Sequence, residues 1–398
     1  MTTTTQDSET GSAIRPFQIK FPKEHIEDLQ RRIAATRWPD RELVGDRSQG
    51  VQLEAAQSLA RYWLNEYDFG RLEARLNELP QFVTEIDSVD IHFIHVRSKH
   101  ENALALIITH GWPGSVIELL DAIGPLTDPT AHGGRAEDAF DVVIPSIPGY
   151  GLSGRPTELG WNPPTRVAAA WAELMRLLGY SRYVAQGGDV GAAVSHGMGQ
   201  LAPEGLLGIH TNLFFPALGG VMPQETDEER AAAAQIATFR ATGFGYFAEQ
   251  AGRPQTIGYA LLDSPVALAA WMADHDTDAY YKIARAFVDE NPSGGLTRDR
   301  ILDNITLYWL TRTGASAARS YWEGAQPGAA DGTPPPMKLP FGFTTFPGEI
   351  WKTPRSWVEK VYPNVIYFHE AERGGHFAAW EEPDLFSSEL REAFRPLR

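Results

Sequence analysis

The sequence Val-Ala-Gln-Gly-Gly-Asp-Val-Gly, residues 184–191, decides the fold of this 398-residue chain. It predicts the end of a β-strand, a tight turn and the start of a helix. Gly187 and Gly191 stand two positions to either side of Asp189, and this spacing is typical of a nucleophile elbow, a turn that exposes one side chain above an α/β sheet. Serine is the usual residue at the centre of an elbow. A plain turn is the alternative, because Gly and Asp are common in turns of every kind.

The pattern around this turn predicts an α/β fold with a mostly parallel central sheet flanked by helices. Apolar or alternating runs indicate strands, and amphipathic segments between them indicate helices, an order typical of parallel sheets with right-handed crossovers. The predicted strands lie at residues 82–86, 89–96, 103–109, 141–144, 183–186, 205–210, 341–346 and 365–369. The predicted helices of this part lie at residues 116–123, 167–178 and 383–394, and a further helix is predicted to begin near Val190.

The chain divides into five predicted segments. A disordered tail at 1–13 precedes an N-terminal helical extension at 14–80. The α/β core occupies 81–212 and 327–398, and a helical cap at 213–326 interrupts it. The cap is predicted because helical patterns follow one another there without a strand, at residues 225–244, 264–273, 278–288, 298–311 and 315–322. We expect the cap to fold over the C-terminal edge of the sheet.

The composition excludes several classes of function. The chain has no cysteine, which excludes disulfides, thiolate catalysis and cysteine-bound metals. Its formal net charge of -16 argues against nucleic acid or an anionic membrane as a partner, although the charge also fits simple solubility. Neither a transmembrane run of about 18 apolar residues nor a signal peptide is predicted. We therefore predict a soluble, cytoplasmic protein without cofactor or metal. A homodimer is possible, and the sequence does not decide the oligomeric state.

A nucleophile elbow requires a histidine and an acid further along the chain. His376 lies in Arg-Gly-Gly-His-Phe, residues 373–377, between the last predicted strand and the last helix, where the base belongs. Glu349 follows the preceding predicted strand, and a hydrogen bond from the histidine to it would stabilise the cationic imidazole. For both residues, a surface location without function is the alternative. The other candidates after Asp189 are His196, His210, His369, the cap residue His275, and Glu370, Glu372, Glu381 and Glu382.

The sequence His-Gly-Trp-Pro, residues 110–113, follows a predicted central strand. Hydrolases with a nucleophile elbow place one backbone donor of the oxyanion hole at this position. The backbone N–H groups of Trp112 and Val190 are therefore the predicted donors. A strand-terminating turn without function is the alternative.

An aspartate nucleophile favours attack on an sp³ carbon, because the product is an ordinary ester that water can hydrolyse. Alkyl halides and epoxides are the two substrate types that suit this scheme. An epoxide oxygen leaves as a basic alkoxide and needs an acid, and tyrosine stays protonated at neutral pH. The pattern alone does not choose among the cap tyrosines, which are Tyr246, Tyr259, Tyr280, Tyr281, Tyr308 and Tyr321.

Together these motifs resemble the α/β-hydrolase-fold epoxide hydrolases of the microsomal branch, over about residues 16–396. The matching stretches are Arg-Trp-Pro-Asp at 37–40, His-Gly-Trp-Pro-Gly-Ser at 110–115, Gln-Gly-Gly-Asp at 186–189, Leu-Asp-Ser-Pro at 262–265, Phe-Pro-Gly-Glu at 346–349 and Arg-Gly-Gly-His-Phe-Ala-Ala at 373–379. The resemblance implies Asp189 as the nucleophile, His376 as the base and Glu349 as its acid partner. It also implies Tyr246 and Tyr321 as the acids that protonate the epoxide oxygen, with Tyr308 as the rival of Tyr321.

The resemblance predicts an epoxide hydrolase that converts a bulky apolar or aromatic epoxide to a vicinal diol. Two alternatives stay open, a haloalkane dehalogenase that uses the same aspartate and a ligand-binding protein without activity. Dehalogenases of this fold usually use a tryptophan as halide donor after the nucleophile, and this chain has Val190 there. The identity of the epoxide and the regio- and enantioselectivity are not determined by the sequence.

Overall fold

The computed structural model describes residues 13–326 and 337–398 of the chain. Its described part contains a nine-stranded sheet in the order β1-β2-β3-β5-β4-β6-β7-β8-β9. The strands are β1 (Arg15–Pro16), β2 (Gln81–Ile86), β3 (Val89–Val96), β4 (Leu104–Thr109), β5 (Phe140–Pro145), β6 (Tyr183–Gly187), β7 (Leu206–Thr211), β8 (Phe341–Thr345) and β9 (Val365–Glu370). The strands from β4 to β9 run parallel, whereas β1, β2 and β3 pair antiparallel. This architecture confirms the predicted mostly parallel α/β sheet.

The centre of the sheet is formed by strands that are apolar on both faces. Every residue of β4 is buried, and so are all five residues of β6. Helices cover both faces of a parallel sheet, and its strands are therefore apolar throughout rather than alternating. The parallel direction brings the carboxyl ends of β4, β6, β8 and β9 to one edge, where the predicted site residues follow each strand.

Three helices precede the main sheet, namely α1 (Lys23–Ala34), α2 (Leu53–Asn65) and α3 (Phe69–Asn77). Buried side chains such as Leu29, Trp63 and Leu72 form the apolar stripe of each helix. The Trp63 indole N–H donates to the Thr306 hydroxyl at 3.0 Å, and the Tyr67 hydroxyl donates to the Asp303 carboxylate at 2.8 Å. This N-terminal segment therefore contacts the later helical part of the chain as well as the sheet.

The helices next to the sheet are α4 (Ile123–Thr127), α5 (Ala168–Leu177) and α6 (Asp189–Leu201). The helix predicted at 116–123 forms as a 3₁₀ helix at Val116–Ala122, directly before α4. A π-helical turn at Pro163–Val167 precedes α5. The predicted strands and helices of this part are otherwise displaced by only one or two residues, as expected from fraying at element ends.

Between β7 and β8, the described residues form a series of helices. Its members are α7 (Pro216–Gly219), α8 (Asp227–Thr242), α9 (Gly245–Gly252), α10 (Pro254–Asp263), α11 (Pro265–Ala273), α12 (Thr277–Val288), α13 (Arg298–Thr311) and α14 (Gly314–Gly324). The sequence predicts five of them and misses three. α7 has only four residues, and in α9 and α10 the glycines Gly245, Gly252 and Gly258 weaken the helical pattern. Tyr308 on α13 donates to the Gly114 carbonyl, and Ser316 on α14 donates to the Gly149 carbonyl. Gly114 and Gly149 follow β4 and β5, so these helices lie over the C-terminal edge of the sheet.

The last helices are α15 (Arg355–Val361), α16 (Ala378–Glu381) and α17 (Pro383–Phe394). Residues 1–12 of the predicted tail and the first ten residues of the predicted 327–398 segment lie outside the described ranges. Within those ranges, no helix combines the length and the apolar character needed to cross a membrane.

Candidate active site

Asp189 occupies a sharp turn between β6 and α6. Its φ of 47° lies in the left-handed region, which is strained for a residue with a side chain. The two flanking glycines are needed for space: a Cβ atom on Gly187 would lie 2.0 Å from the Gly191 carbonyl oxygen, and one on Gly191 would lie 2.0 Å from that of Thr109. The turn therefore has the geometry of a nucleophile elbow rather than that of a plain turn.

The two oxygens of the Asp189 carboxylate have different neighbours. Oδ1 accepts a hydrogen bond from the Trp112 backbone N–H at 2.9 Å. Val190, the other predicted donor, lies in the first turn of α6, where backbone N–H groups have no partner within the helix. Oδ2 faces His376, whose Nε2 atom is 3.4 Å away. One oxygen is therefore held by the backbone, and the other faces a titratable ring.

His376 and Glu349 form a buried pair behind Asp189. His376 Nδ1 and Glu349 Oε1 are 2.6 Å apart, although their loops follow different strands, β9 and β8. Burial alone would lower the pKa of His376, but the negative charges of Glu349 and Asp189 outweigh it and raise that pKa well above its usual value. Burial would likewise raise the pKa of Asp189, but His376 lowers it below its usual value. Asp189 is therefore ionised at neutral pH.

The competing histidines and glutamates have other partners. His196 contacts Tyr362, His210 contacts Thr344, and His369 contacts Glu389. Three of the glutamates form ion pairs, which are Glu370 with Lys352, Glu381 with Lys282 and Glu382 with Arg373. None of these contacts involves Asp189 or His376.

Two cap tyrosines lie close to Asp189 across the ring of Trp112. Tyr246 on α9 stacks on that indole with ring centroids 4.9 Å apart, and Tyr321 on α14 meets it edge-on at 6.0 Å. Burial and the nearby negative charge of Asp189 raise the pKa of each tyrosine well above the usual value for tyrosine. Both hydroxyls therefore stay protonated. Tyr308 donates its proton to the Gly114 carbonyl at 2.7 Å. This contact occupies Tyr308 and favours Tyr321 as the second tyrosine of the site.

The sequence misses a second histidine at the centre of the site, because it assigns His275 only to the cap. His275 lies in the turn between α11 and α12, and its Nε2 atom is 3.8 Å from Asp189 Oδ2 and 2.9 Å from the Tyr246 hydroxyl. Its Nδ1 atom is 3.0 Å from Asp276 Oδ2. The carboxylate directly after the histidine is a sequence signal, but it does not reveal which part of the fold the pair faces.

Asp189, His275 and His376 also offer one ligand atom each within 4.8 Å of one another. Carboxylate oxygen and imidazole nitrogen are ligands that a transition-metal ion accepts. On the other ring nitrogen, Nδ1, His275 contacts Asp276 and His376 contacts Glu349. Histidines that bind metals commonly have such a partner on the second nitrogen. The same contacts also suit proton transfer, so the ligand set alone does not identify a metal site.

A small cavity of about 20 Å³ borders Asp189, and this volume is sufficient for one water molecule. Asp189, His376 and Glu118 line it, together with Trp112. The Nε2 atom of His376 is buried and has no hydrogen-bond partner within the described residues. Burial raises the pKa of Glu118 to about 8, so this carboxyl group is largely neutral at pH 7. The sequence offers no signal for Glu118, which lies on the 3₁₀ helix after His-Gly-Trp-Pro.

The sheet topology, the elbow and the histidine–glutamate pair behind it define an α/β hydrolase. A family model described as "Epoxide hydrolase N terminus" matches residues 14–119. A protein of Stigmatella aurantiaca, provisionally named an epoxide hydrolase, is 51% identical over 97% of this chain and 86% of its own length. "Epoxide hydrolase 1" of Sus scrofa is 35% identical over 95% of this chain and 88% of its own. The solved structure of the Aspergillus niger epoxide hydrolase is 30% identical, with a TM-score of 0.81 and 97% of each chain covered.

The chain belongs to the epoxide hydrolase family and is an enzyme that hydrolyses epoxides. The recognition made from its motifs is thereby confirmed, and so are the predicted fold class and activity. The roles of the individual site residues are a separate question, because the comparisons concern whole chains.

Proposed function

We propose that this enzyme converts an epoxide to a vicinal diol through a covalent ester on Asp189. The observation behind this proposal is the asymmetric setting of the Asp189 carboxylate. Oδ1 accepts a hydrogen bond from the Trp112 N–H at 2.9 Å. Oδ2 faces His376 and accepts from no backbone donor among the described residues. Such a carboxylate has one oxygen for attack on carbon and one oxygen already placed at donors for the later tetrahedral charge.

The first step is ring opening. Asp189 Oδ2 attacks an epoxide carbon, a carbon–oxygen bond of the epoxide breaks, and an alkyl ester forms on Asp189. The departing oxygen takes a proton from Tyr246 or Tyr321, whose hydroxyls stay protonated at neutral pH because they are buried. The aromatic rings of Trp112, Tyr246, Phe247 and Tyr321 contact one another around this point, which suits a bulky apolar or aromatic epoxide.

The second step is hydrolysis of the ester. A water molecule in the cavity beside His376 gives a proton to Nε2 and attacks the Asp189 carbonyl carbon. The negative charge that develops on Oδ1 is stabilised by the N–H groups of Trp112 and Val190. The bond between the Asp189 carbonyl carbon and the ester oxygen then breaks. The departing alkoxide takes the proton of the newly formed Asp189 carboxyl group and is released as the diol. The proton held by His376 replaces the one that the tyrosine lost in ring opening. Asp189 keeps the oxygen of the water molecule.

Ester formation also prepares the base for this step. The pKa of His376 is raised by two carboxylates, Glu349 and Asp189. Alkylation removes the charge of Asp189, so the pKa of His376 falls in the ester. The neutral imidazole that must accept a proton from water is then formed at lower pH than in the free enzyme. Glu349, 2.6 Å from Nδ1, stabilises the imidazolium that results.

We propose that residues 213–326 act as the cap, since they provide both tyrosines, and that 14–80 and the two core segments are organised as predicted from the sequence. Val190 offers no side-chain N–H for a halide, and among the described residues of the site no contact favours dehalogenation. The intact set of Asp189, His376 and Glu349 argues against a ligand-binding protein without activity. The cytoplasmic location and the possible homodimer remain predictions from the sequence.

A single turnover in ¹⁸O-labelled water, with enzyme in excess over styrene oxide, tests the covalent mechanism. We expect the first diol to contain no ¹⁸O, and mass spectrometry of the Asp189 peptide to show the label in the carboxylate. Asp189→Ala is the control and is expected to form neither ester nor diol. A first diol labelled from water, with an unlabelled Asp189 peptide, would contradict the proposal.

A further inference from the structure

The site contains a histidine–carboxylate pair, His275 and Asp276, that the proposed two-step reaction does not use. Both side chains are buried. Asp276 Oδ2 is 3.0 Å from His275 Nδ1, while its Oδ1 caps α12 by accepting the Ala279 N–H at 2.8 Å. A buried carboxylate beside Nδ1 keeps a proton on that nitrogen and orients the ring, leaving Nε2 to exchange protons.

The turn that contains this pair is held from outside the cap. Arg47, in the N-terminal segment, donates to the Asp274 carboxylate at 2.7 Å and to the Thr277 hydroxyl at 2.8 Å. These contacts lie on either side of His275 and Asp276 in the sequence. The ring is therefore fixed before substrate binds, as expected for a group with a positional role.

The Nε2 atom of His275 lies between two groups of the proposed reaction. It is 2.9 Å from the Tyr246 hydroxyl and 3.8 Å from Asp189 Oδ2. When His275 is neutral with its proton on Nδ1, Nε2 accepts the Tyr246 proton and directs it away from the substrate. When His275 is protonated, Nε2 donates to the Tyr246 oxygen, and the Tyr246 proton is free to point towards the epoxide.

From these contacts we infer that His275, oriented by Asp276, is a positioning residue that returns a proton to Tyr246 during ring opening. The inference rests on the proposed function of Tyr246 as an acid. In this step the Tyr246 O–H bond breaks and its proton goes to the epoxide oxygen. The His275 Nε2–H bond then breaks, and its proton restores the tyrosine. His275 becomes neutral, and Asp276 remains a carboxylate throughout.

The second half of the reaction supplies the proton that His275 needs. Hydrolysis of the ester by water yields the diol, the Asp189 carboxylate and one proton. The cationic His376 holds this proton after the alkoxide has left, and its ring centroid is 4.4 Å from that of His275. Asp189 Oδ2 lies near the Nε2 atoms of both rings, so the proton passes back to His275 within the site. One proton thus leaves and re-enters His275 in each turnover.

Single-turnover kinetics test this inference because they separate ester formation from ester hydrolysis. We expect His275→Phe to slow ester formation on the order of 10-fold and to leave the decay of the preformed ester unchanged. His275→Gln retains a side-chain N–H for the Tyr246 oxygen and is expected to recover part of the rate. In a Tyr246→Phe background, His275→Phe should have no further effect on ester formation, because the group through which it acts is gone.

Asp276→Asn is the matched second variant, because asparagine caps a helix as well as aspartate but has no charge. We expect ester formation to slow while the melting temperature stays near that of the native enzyme. Every rate is also measured in EDTA, since a metal ion bound by Asp189, His275 and His376 would offer another explanation.

Three results would overturn the inference: unchanged ester formation in both His275 variants, an equal loss with and without the Tyr246 hydroxyl, or a loss that EDTA alone reproduces. If the native enzyme forms no ester on Asp189 at all, the proposed function fails instead. If the ester forms normally in every His275 variant, only the inference fails.

Discussion

Two histidine–carboxylate pairs face Oδ2 of Asp189, and they differ in the surroundings of the histidine Nε2 atom. The His376 side chain, backed by Glu349, lines a cavity of about 20 Å³, and its Nε2 atom has no hydrogen-bond partner in the described part of the chain. For His275, backed by Asp276, the Tyr246 hydroxyl occupies Nε2 at 2.9 Å. The same chemical pair therefore suits activation of water in one position and supply of a proton to a tyrosine in the other.

The two pairs also differ in origin. Glu349 and His376 are 27 residues apart and meet because β8 and β9 are neighbours in the sheet. His275 and Asp276 are adjacent in the sequence and enter the site only because the cap helices lie over the loop after β4. We therefore expect variants of the two pairs to affect different steps of the reaction.

The largest expected effect is that of His376→Gln on ester hydrolysis. Without a base beside the cavity, hydrolysis should slow by about 10³-fold, within the range of general base catalysis. Ring opening should continue, so the alkyl-enzyme accumulates and intact-protein mass spectrometry detects it. Turnover at the native rate, or an enzyme that forms no ester, would remove the proposed distinction between the two pairs.

Tyr321→Phe is expected to slow ring opening by about 10²-fold, because one of the two proton donors is lost. Tyr308→Phe is the matched control: its hydroxyl is buried but donates to the Gly114 carbonyl. We expect that control to lower the free energy of unfolding by about 1 kcal/mol and to leave ring opening largely intact. If Tyr308→Phe slows ring opening more than Tyr321→Phe does, the assignment of the second acid is wrong.

Glu349→Gln is expected to shift the pH dependence of ester hydrolysis. The negative charge of Glu349 raises the pKa of His376, so its removal lowers that pKa. The hydrolysis rate, which rises with pH as His376 loses its proton, should therefore reach its plateau at lower pH and at a lower value. Asp276→Asn should leave the midpoint of this pH dependence unchanged. Stopped-flow measurements of ester hydrolysis from pH 5 to 9 compare the Glu349→Gln and Asp276→Asn variants.

A further prediction concerns stability rather than catalysis, and it involves Glu118. Burial raises the pKa of this carboxyl from 4.5 to about 8, so the folded state binds the proton more tightly than the unfolded state between these values. The free energy of unfolding should therefore fall as pH rises through this window, by at most about 1.4 kcal/mol per pH unit. Glu118→Gln should reduce that slope in urea unfolding series, and an identical slope would show that Glu118 is not the titrating group.

Local patterns in the sequence were sufficient for the fold class and for the family. The elbow around Asp189, the loops with Glu349 and His376, and the apolar strands each encode their own backbone conformation within a few residues. The chain order of these motifs then indicates the edge of the sheet at which they meet. Family and activity are confirmed by the comparisons, and the catalytic roles stay predictions that the contacts support.

Other features of the site depend on how distant segments pack. Whether Tyr308 or Tyr321 faces Trp112 is set by the orientation of α13 and α14, which no local pattern reveals. His275 becomes a neighbour of Asp189 through a fold that joins positions 86 residues apart, and Glu118 becomes neutral because its surroundings exclude water. Sequence by itself determined the backbone framework and predicted the nucleophile, because short-range sterics and hydrophobic periodicity act locally. Only the tertiary structure decided which side chains share the site, since proximity and burial are properties of the packed chain.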